Sequence, residues 1–400
     1  MSLENIENGR IRMINDMIDL ASLTTNLTGV YVEINDDLIK LTRKWKVRGR
    51  ECRREISIKR FVNAESFARM LGLYRAEGLK KPKRVRFTNK DPALHQWFIE
   101  PLRQMGVNRE VAYVYYRGQR GEAKLNRKVK QFEKMTGIKI KAVYRHPHAR
   151  NPMFVSDVNS TPLAAFIIHS ERILRKRIAY EDVPRNIAMA YLRGLLEGDG
   201  SINIKIKGGR VSGMHLSIYE TDIDPVHDIL VIFEKYFSLR LAVYSEKCVP
   251  NGRQMKSINL DDILELTSEN IVPSRHLDEV MERIALAFRK KGTPWILLKL
   301  AGSFEDRQFS SSEVSKILSK PRHHVLEKLK TLERRGYLVS VKKKLKAHNE
   351  AGTPVRRFFK LTGKAIKIVK SLSSLLPSFI LYCLNNVLRI RILFIGKIFY

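Results

Sequence analysis

Two nine-residue segments of this chain share one pattern, and they constrain its fold more than any other feature. They are residues 70–78, MLGLYRAEG, and residues 192–200, LRGLLEGDG. Each is mainly apolar, has glycine at its third position, and closes with a carboxylate followed by glycine. The pattern predicts two helices that end at Glu77 and Asp199. A carboxylate is disfavoured at a helix C-terminus unless a cation is nearby, so two such ends predict two metal-binding acids.

A second interpretation of these segments needs no metal. Two buried helices could pack closely through their glycines, with Gly78 and Gly200 as left-handed caps and the acids solvated beside them. A single glycine-punctuated string of this length matches by chance. Its repetition in one chain favours the metal-binding interpretation.

Each segment is followed by alternating polar and apolar residues, which predict strands with one basic face. After the first segment, Val85 and Phe87 alternate with Arg84, Arg86 and Thr88. After the second, the alternation covers 202–207 and 214–218 around a Gly208-Gly209 turn, and its polar positions include Lys205, Lys207 and His215. The first half has only residues 79–89 where the second has a full hairpin, so its first strand is predicted to be truncated.

A helix with an Asp-Pro start comes next in both halves. Asp91-Pro92 precedes a helix predicted over 93–105, and Asp224-Pro225 precedes one over 226–237, each with aspartate as N-cap. Further strands are predicted over 110–117, 138–145, 240–245 and 253–259, and closing helices over 163–176 and 260–266. The order helix, strands, helix, strands, helix therefore occurs twice.

Both nine-residue segments resemble the motif that names the LAGLIDADG homing endonucleases, including the acid at position eight of nine. The resemblance spans residues 61–291 and implies an α+β fold of tandem pseudo-symmetric αββαββα halves, 61–187 and 188–291, which form a DNA-binding saddle. In that family the motif helices pack side by side across a pseudo-twofold axis. Glu77 and Asp199 are therefore expected to meet in one active site.

The charge balance indicates the kind of partner. The chain has 74 Lys and Arg against 41 Asp and Glu, a formal net charge of +33. Such an excess predicts strong, salt-dependent attraction to nucleic acid, although a generically basic protein would have the same composition. Cys52, Cys248 and Cys383 are far apart and form no CxxC pair, which indicates neither disulfides nor a zinc site and favours a reducing, cytoplasmic, nucleoid-associated setting.

The resemblance also assigns roles to individual residues. Glu77 and Asp199 are the expected ligands of Mg²⁺ or Mn²⁺, which prefer oxygen ligands, and Lys176, ahead of the second motif, is the expected catalytic lysine. Helix geometry, and not the resemblance, predicts that Arg75 and Glu197 at motif position six lie on the outer helix face and are not ligands; the alternative is that Glu197 is a spare metal ligand. The residues expected to contact DNA from the two sheets are Arg84, Arg86, Lys205, Lys207, His215 and Arg253.

The flanks of the two halves have their own patterns. Residues 1–60 predict a helix over 6–23 and a basic hairpin over 43–60, which either extends the DNA footprint or is simply solvated. Residues 292–370 predict a winged-helix-like α/β domain with a recognition helix over 321–335 and a wing over 342–357; the alternative is a small helical packing domain. Its expected DNA contacts are Arg322, His323 and Lys328.

The last segment, 371–400, is an apolar tail that includes an uncharged stretch. Proline, asparagines and serines dilute this stretch and basic residues follow it, so a packed helix or a tail is favoured over a membrane span and no stable membrane association is expected.

Together these features predict a single-chain, monomeric, site-specific and metal-dependent endonuclease that hydrolyses both strands of a long double-stranded DNA target. The chain begins with neither Cys nor Ser and does not end in His-Asn, which favours an intron-encoded or free-standing protein over an intein. Its own intron RNA is a further expected partner. The alternative is a catalytically silent DNA-binding regulator, or an RNA maturase, on the same scaffold.

Overall fold

The structure is a computed structural model of the 400-residue chain. It describes residues 12–116, 122–146, 151–207, 210–220, 222–245, 252–257, 266, 269, 271, 293–304, 307–344, 355–366 and 369. These divide into two compact units. The first contains the described residues up to Ser201 together with Leu216–Ser257, and the second contains Ile202–His215 and the described residues from Thr293 onward.

From Arg12 onward the N-terminal region consists of strands and one 3₁₀ turn, so the helix predicted over 6–23 is wrong for 12–23, and 6–11 lie outside the described residues. Its described elements are β1 Met13–Ile14, β2 Met17–Asp19, a 3₁₀ turn Leu20–Leu23, β3 Tyr31–Ile34, β4 Leu38–Val47, β5 Arg50–Lys59 and β6 Phe61–Asn63. They form two three-stranded sheets, β1-β2-β6 and β3-β4-β5. Tertiary pairing overrides the helical pattern here, because the Asp19 carboxylate is buried against Arg60, which donates two hydrogen bonds of 2.7 and 2.8 Å.

The first half follows directly. It comprises α1 Ala64–Glu77, β7 Val85–Asn89, α2 Pro92–Gln104, β8 Val111–Tyr116, α3 Glu122–Thr136, β9 Ile140–Arg145, β10 Met153–Val158 and α4 Thr161–Tyr180. Asp91 caps α2 as predicted, accepting a hydrogen bond from the Ala93 amide at 2.9 Å. Helix α3 and strand β10 have no counterpart among the sequence predictions. β10 is buried almost throughout and lacks the alternation by which the other strands were identified.

The second half comprises α5 Arg185–Asp199, β11 Gly200–Lys207, β12 Arg210–Glu220, α6 Ile223–Phe237, β13 Ala242–Ser245 and β14 Arg253–Ser257. Helix α6 begins earlier than predicted, with Asp222 and not Asp224 at the N-cap. Pro225 then lies in the first turn, where a missing amide hydrogen costs nothing. The helix predicted over 260–266 lies outside the described residues except for Leu266.

The two four-stranded sheets differ at their edges. The second has the order β11-β12-β14-β13, and the first has the order β7-β10-β8-β9. Matched by position, β7, β10 and β8 correspond to β12, β14 and β13. The counterpart of β11 is reduced to a single bridge between Gly78 and Phe87, as the sequence predicts, and an extra strand, β9, lies at the opposite edge. β9 runs parallel to β8, which is possible because α3 provides the crossover.

The motif helices α1 and α5 pack against each other at their glycines. A Cβ atom at Gly72 would lie 2.0 Å from the carbonyl oxygen of Tyr191, and one at Gly194 would lie 2.0 Å from the carbonyl oxygen of Arg69. No side chain fits at such a distance, so the two backbones touch directly. The equal, reciprocal distances show that the two helices meet through equivalent positions.

A second layer of helices is held by a buried polar network. Arg175 on α4 pairs with Glu171 at 2.9 Å and with Asp228 on α6, and the Tyr191 hydroxyl on α5 donates to Glu171 at 2.8 Å. These groups are nearly inaccessible to solvent and satisfy one another, which fixes α4, α5 and α6 in register.

The second unit contains a small helix-and-sheet fold. Its described elements are α7 Thr293–Phe304, β15 Phe309–Ser310, α8 Ser311–Leu318, α9 Arg322–Arg334, β16 Leu338–Lys344 and β17 Val355–Leu361. The sheet order is β15-β17-β16. Ser310 and Glu313 form the predicted capping box at the start of α8. The core includes Val314, Val325, Leu329, Leu332, Phe309 and Phe359.

Candidate active site

The acids of the two motifs are the last residues of α1 and α5. The glycine packing of these helices continues to their ends, because a Cβ atom at Gly198 would lie 2.2 Å from Ala76 Cβ and 3.3 Å from Glu77 Cγ. Burial, followed by repulsion from Glu77, raises the pKa of Asp199 to about 7. The structure thus brings Glu77 and Asp199 together. Ionising Asp199 there costs free energy, because the carboxyl is partly buried and lies close to Glu77.

The glycines that follow the acids do not cap the helices in the left-handed conformation. Gly78 has φ −81° and ψ 156°, and Gly200 has φ −70° and ψ 137°, both extended. The chain therefore leaves each helix directly into β structure. The interpretation of these glycines as left-handed caps is wrong.

In each half, the strand that precedes the next helix ends in a residue that interacts with the motif acid, and this residue differs between the halves. Asn89 ends β7 and donates a hydrogen bond of 3.1 Å from Nδ2 to Glu77 Oε1. Glu220 ends β12, and its charge adds to the repulsion that raises the pKa of Asp199. Both residues lie two positions before a helix N-cap, Asp91 and Asp222 respectively, so they occupy equivalent places in the two halves.

Position six of the motif faces inward, contrary to the prediction for Arg75 and Glu197. Both residues are buried, with 8% and 4% of their surface exposed. Arg75 Nε donates to Glu220 Oε2 at 2.7 Å, and Arg75 Nη2 lies 3.1 Å from Asp222 Oδ2. The helix pair buries this position, so a charged residue there requires an internal partner.

The lysine whose charge acts on Asp199 is Lys80, and as a residue it is exposed to solvent. Its Nζ donates to the Tyr74 carbonyl oxygen at 3.0 Å, at the C-terminal end of α1. Desolvation and repulsion by Arg75 lower the pKa of Lys80 to about 8, while attraction by Glu220 and Asp199 opposes the shift. Lys80 lies three residues beyond Glu77 in the sequence KKPKR, and that proximity to the motif acid was the signal available for finding it.

The lysine selected from the sequence, Lys176, stays a prediction. Lys176 is exposed on α4, while its neighbours Arg175 and Arg177 are buried. Arg175 belongs to the network with Glu171 and Asp228, so this part of α4 has a structural role. In the second half, the family resemblance implies a lysine at the position of Arg275, which lies outside the described residues.

The residues predicted to contact DNA have varied surroundings. Arg84 Nη1 and Arg86 Nη2 both contact Oδ2 of the buried Asp157, at 2.9 and 2.7 Å, and each is about one-third exposed, with side-chain values of 40% and 32%. Their charge is therefore partly compensated within the sheet. Arg253 is half-buried on β14. Lys205, Lys207 and His215 lie on β11 and β12, but their side chains lie outside what the structure describes.

On the second unit, Arg322 and His323 are exposed in the first turn of α9, and Lys328 is half-buried further along it. Arg322 Nε contacts Ser311 Oγ at 3.3 Å. The predicted wing is described only at its ends, where β16 and β17 pair from Leu338↔Leu361 to Lys344↔Val355.

A cluster of aromatic residues on the first sheet had no sequence prediction. Tyr113 and Tyr115 on β8 face away from the buried Ala112 and Val114, and Tyr144 on β9 lies 5.8 and 5.6 Å from their ring centroids. Alternation along β8 was the available signal. The same face carries Arg86 and Thr88, so it combines cationic and aromatic side chains.

No helix among the described residues is long and apolar enough to cross a membrane. The apolar tail, 371–400, lies outside the described residues.

Comparison with known proteins gives structural neighbours only. No protein-family model and no curated protein sequence matches the chain. Among the solved structures, the neighbours include a LAGLIDADG-domain protein and a meganuclease.

The first neighbour is the N-terminal LAGLIDADG domain of DUF199/WhiA, with 12% identity, TM-score 0.32, and coverage of 53% of this chain and 85% of that chain. Full-length DUF199/WhiA from Thermatoga maritima gives 13% identity, TM-score 0.32, and coverage of 68% and 90%. The meganuclease I-SmaMI bound to uncleavable DNA gives 11% identity, TM-score 0.32, and coverage of 57% and 90%. Such values establish neither family membership nor activity.

Proposed function

We propose that this chain is a LAGLIDADG-type, metal-dependent endonuclease that binds a long double-stranded DNA site and cuts it. The observation that carries the proposal is the packing of α1 on α5, which brings Glu77 and Asp199 together at the helix ends. A protein that only binds DNA has no need for two repelling carboxylates in a partly buried place. Both acids come from one chain, which supports action as a monomer.

The donor set fits Mg²⁺ or Mn²⁺. Among the described residues there is no group of three or more His, Cys, Asp or Glu side chains arranged to hold a metal. Mg²⁺, however, commonly takes only one or two carboxylates and completes its shell with water and substrate phosphate oxygens. Glu77 and Asp199 would hold the ion, which when bound supplies a Lewis acid and an activated water for phosphodiester hydrolysis.

The surrounding residues would prepare this site. The hydrogen bond from Asn89 fixes the orientation of the Glu77 carboxylate. Arg75 neutralises Glu220, so that Asp199 faces one fewer uncompensated negative charge. Lys80 keeps a positive charge beside Asp199, where it would stabilise the charge that develops as the P–O3′ bond breaks.

The remaining surfaces supply DNA affinity in this proposal. The net charge of +33 gives strong attraction to phosphates. The tyrosine-bearing face of the first sheet and the basic positions of β11, β12 and β14 would lie along the duplex. The α8–α9 helix pair of the second unit is consistent with a winged-helix-like domain, and its exposed Arg322 and His323 would contact DNA.

That same helix pair also supports the second candidate, a DNA-binding regulator without nuclease activity. The deciding experiment incubates the full chain with DNA of its own locus lacking any intervening element, in Mg²⁺ and in EDTA. The proposal expects cleavage of both strands in Mg²⁺ only, and Asp199→Asn should bind as tightly as wild type without cutting. Sound duplex binding with no cleavage in Mg²⁺ would establish the regulator instead.

A further inference from the structure

The outer part of the β4–β5 hairpin is a strongly basic surface that the proposed active site does not use. Residues 43–54, here named the hairpin tip, contain seven basic residues and one acidic residue. The inner part of the hairpin is different: Ile39 pairs with Ile58 and both are fully buried. The inner part therefore anchors the hairpin, and the tip is free of any core-forming role.

The strand register of the hairpin tip places basic residues opposite one another, which destabilises the hairpin. Arg43 lies directly opposite Arg54, and Lys44 lies directly opposite Arg53. Like charges in directly opposed positions destabilise a pair of strands. Arg53 is partly compensated by Glu55 at 2.7 Å, but the tip as a whole keeps a large positive excess. A surface that maintains such repulsion is suited to an anionic partner.

The tip lies against the loop that follows Glu77. Arg43 Nη1 donates to the Pro82 carbonyl oxygen at 3.2 Å. Arg54 Nη1 contacts Thr161 Oγ1 at 3.4 Å, and that hydroxyl donates to the Lys83 carbonyl oxygen at 3.3 Å. The loop contributes Lys81 and Lys83, both exposed. Basic residues therefore lie both on the hairpin tip and on the loop that it contacts, which follows the acid-bearing end of α1.

The tip also has the shape for a nucleic-acid partner. It is a two-stranded ribbon closed by Arg48 and Gly49, whose φ angles of 49° and 77° give the tight turn that matches strand twist. Lys44, Lys46 and Arg50 are exposed, and Trp45 lies under Arg54 at 5.7 Å, which stiffens the ribbon. A ribbon of this kind fits along a groove with its cations on the phosphates.

We infer that the hairpin tip binds the phosphate backbone of duplex DNA beside the cleavage position, on the side of the first half. The tip thereby extends the bound site beyond the two sheets. It compensates for the counterpart of β11, which is reduced to a single bridge in the first half. The inference rests on the proposed DNA-binding function, but not on cleavage. It concerns affinity and footprint and assigns no base recognition to the tip.

The test compares two triple variants of the full chain. Lys44→Gln/Lys46→Gln/Arg50→Gln removes three charges from the tip, and the matched control Arg127→Gln/Lys130→Gln/Lys134→Gln removes three exposed charges from α3. Binding to locus duplex DNA, and to RNA of the same sequence, is measured in EDTA by fluorescence anisotropy across a salt series, with hydroxyl-radical footprinting of the DNA at one salt concentration. Thermal unfolding of each variant shows that it is folded.

The tip variant is expected to bind about tenfold or more weakly near physiological salt, with a salt slope reduced by about 0.9 for each phosphate that it no longer neutralises. Its footprint should shorten at one end only, and the control should match wild type in both readouts. Thermal stability of the tip variant should not fall, because a repelling charge opposite Arg53 has been removed.

Three results would overturn the inference. Unchanged affinity, slope and footprint in the tip variant, with sound wild-type binding, would remove the tip's role and leave the proposed function standing. A weakening confined to RNA of the same sequence would assign the tip to RNA instead. No duplex binding by the wild-type chain would overturn the proposed function and the inference together.

Discussion

Asn89 donates a hydrogen bond of 3.1 Å to the carboxylate of Glu77, and its equivalent in the second half, Glu220, repels Asp199 instead. The two halves thus surround their acids with opposite electrostatics. Arg75 crosses from α1 to neutralise Glu220 at 2.7 Å. The candidate site is therefore asymmetric in its structure, and not only in its sequence.

The raised pKa of Asp199 makes the stability of the metal-free protein depend on pH. A carboxyl whose pKa is about 7 in the folded chain and 3.8 otherwise binds more protons when folded, so its contribution to the free energy of unfolding falls as pH rises from about 4 to about 7. Asp199→Asn should remove that slope and stabilise the metal-free protein by roughly 2 kcal/mol at pH 8. Denaturant unfolding in EDTA at pH 5 and pH 8 measures the difference between the two proteins.

Mg²⁺ provides the control for this experiment. It should stabilise the wild type at pH 8 and leave Asp199→Asn almost unchanged, because the ion relieves the repulsion only where both carboxylates are present. Identical pH slopes in wild type and variant would mean that neither burial nor repulsion by Glu77 raises the pKa of Asp199 in the folded protein.

Lys80 and Lys176 give a direct contrast between the structural and the sequence assignment of the site lysine. Lys80→Met should lower kcat for DNA cleavage by roughly tenfold or more with little change in duplex affinity, because it removes the charge beside Asp199. Lys80→Arg should restore part of the activity. Both lysines are exposed, but the charge of Lys80 attracts Asp199, so Lys176→Met is expected to have little effect. Single-turnover cleavage rates with saturating Mg²⁺ distinguish the two lysines. A large decrease in Lys176→Met with an active Lys80→Met would restore the sequence assignment.

The contact of α1 with α5 predicts a severe effect for one added methyl group. Gly72→Ala places a Cβ atom 2.0 Å from the Tyr191 carbonyl oxygen, so the helices must separate, at an expected cost of about 3 kcal/mol or more. Gly302→Ala, on α7, meets nothing within 4 Å and should be neutral or stabilise its unit by up to about 1 kcal/mol. Calorimetry reports both. A Gly72→Ala protein as stable as wild type would contradict the helix packing.

The buried pair between Arg75 and Glu220 should be far more sensitive than an exposed one. Arg75→Met leaves the Glu220 carboxylate buried without this partner and should destabilise the fold by about 3–5 kcal/mol. The double variant Arg75→Met/Glu220→Met should recover most of that stability. The exposed pair Arg240–Glu234, 3.0 Å apart, is the matched control, and Arg240→Met should cost less than about 1 kcal/mol. Urea unfolding of wild type and these variants completes the comparison.

Several features followed from local sequence. Apolar spacing placed the two motif helices and their terminal acids, and an Asp-Pro pair fixed the start of α2. The Ser310/Glu313 capping box marked the start of α8. Alternation located β7, β11 and β12, and the short segment after Gly78 indicated a missing strand. Caps and periodicity act over a few residues, so the chain specifies them without reference to its tertiary fold.

Tertiary structure alone decided what lies beside the acids. Burial of Arg75 depends on α1 packing against α5, which no local pattern contains, and its partner Glu220 is 145 residues away in sequence. The buried strand β10 and the parallel strand β9 depend on pairing across α3. The sequence by itself determined that two helices end in carboxylates, because that is local. Only the fold determined that Lys80, Asn89 and Glu220 surround those carboxylates, because long-range contacts set both burial and electrostatics.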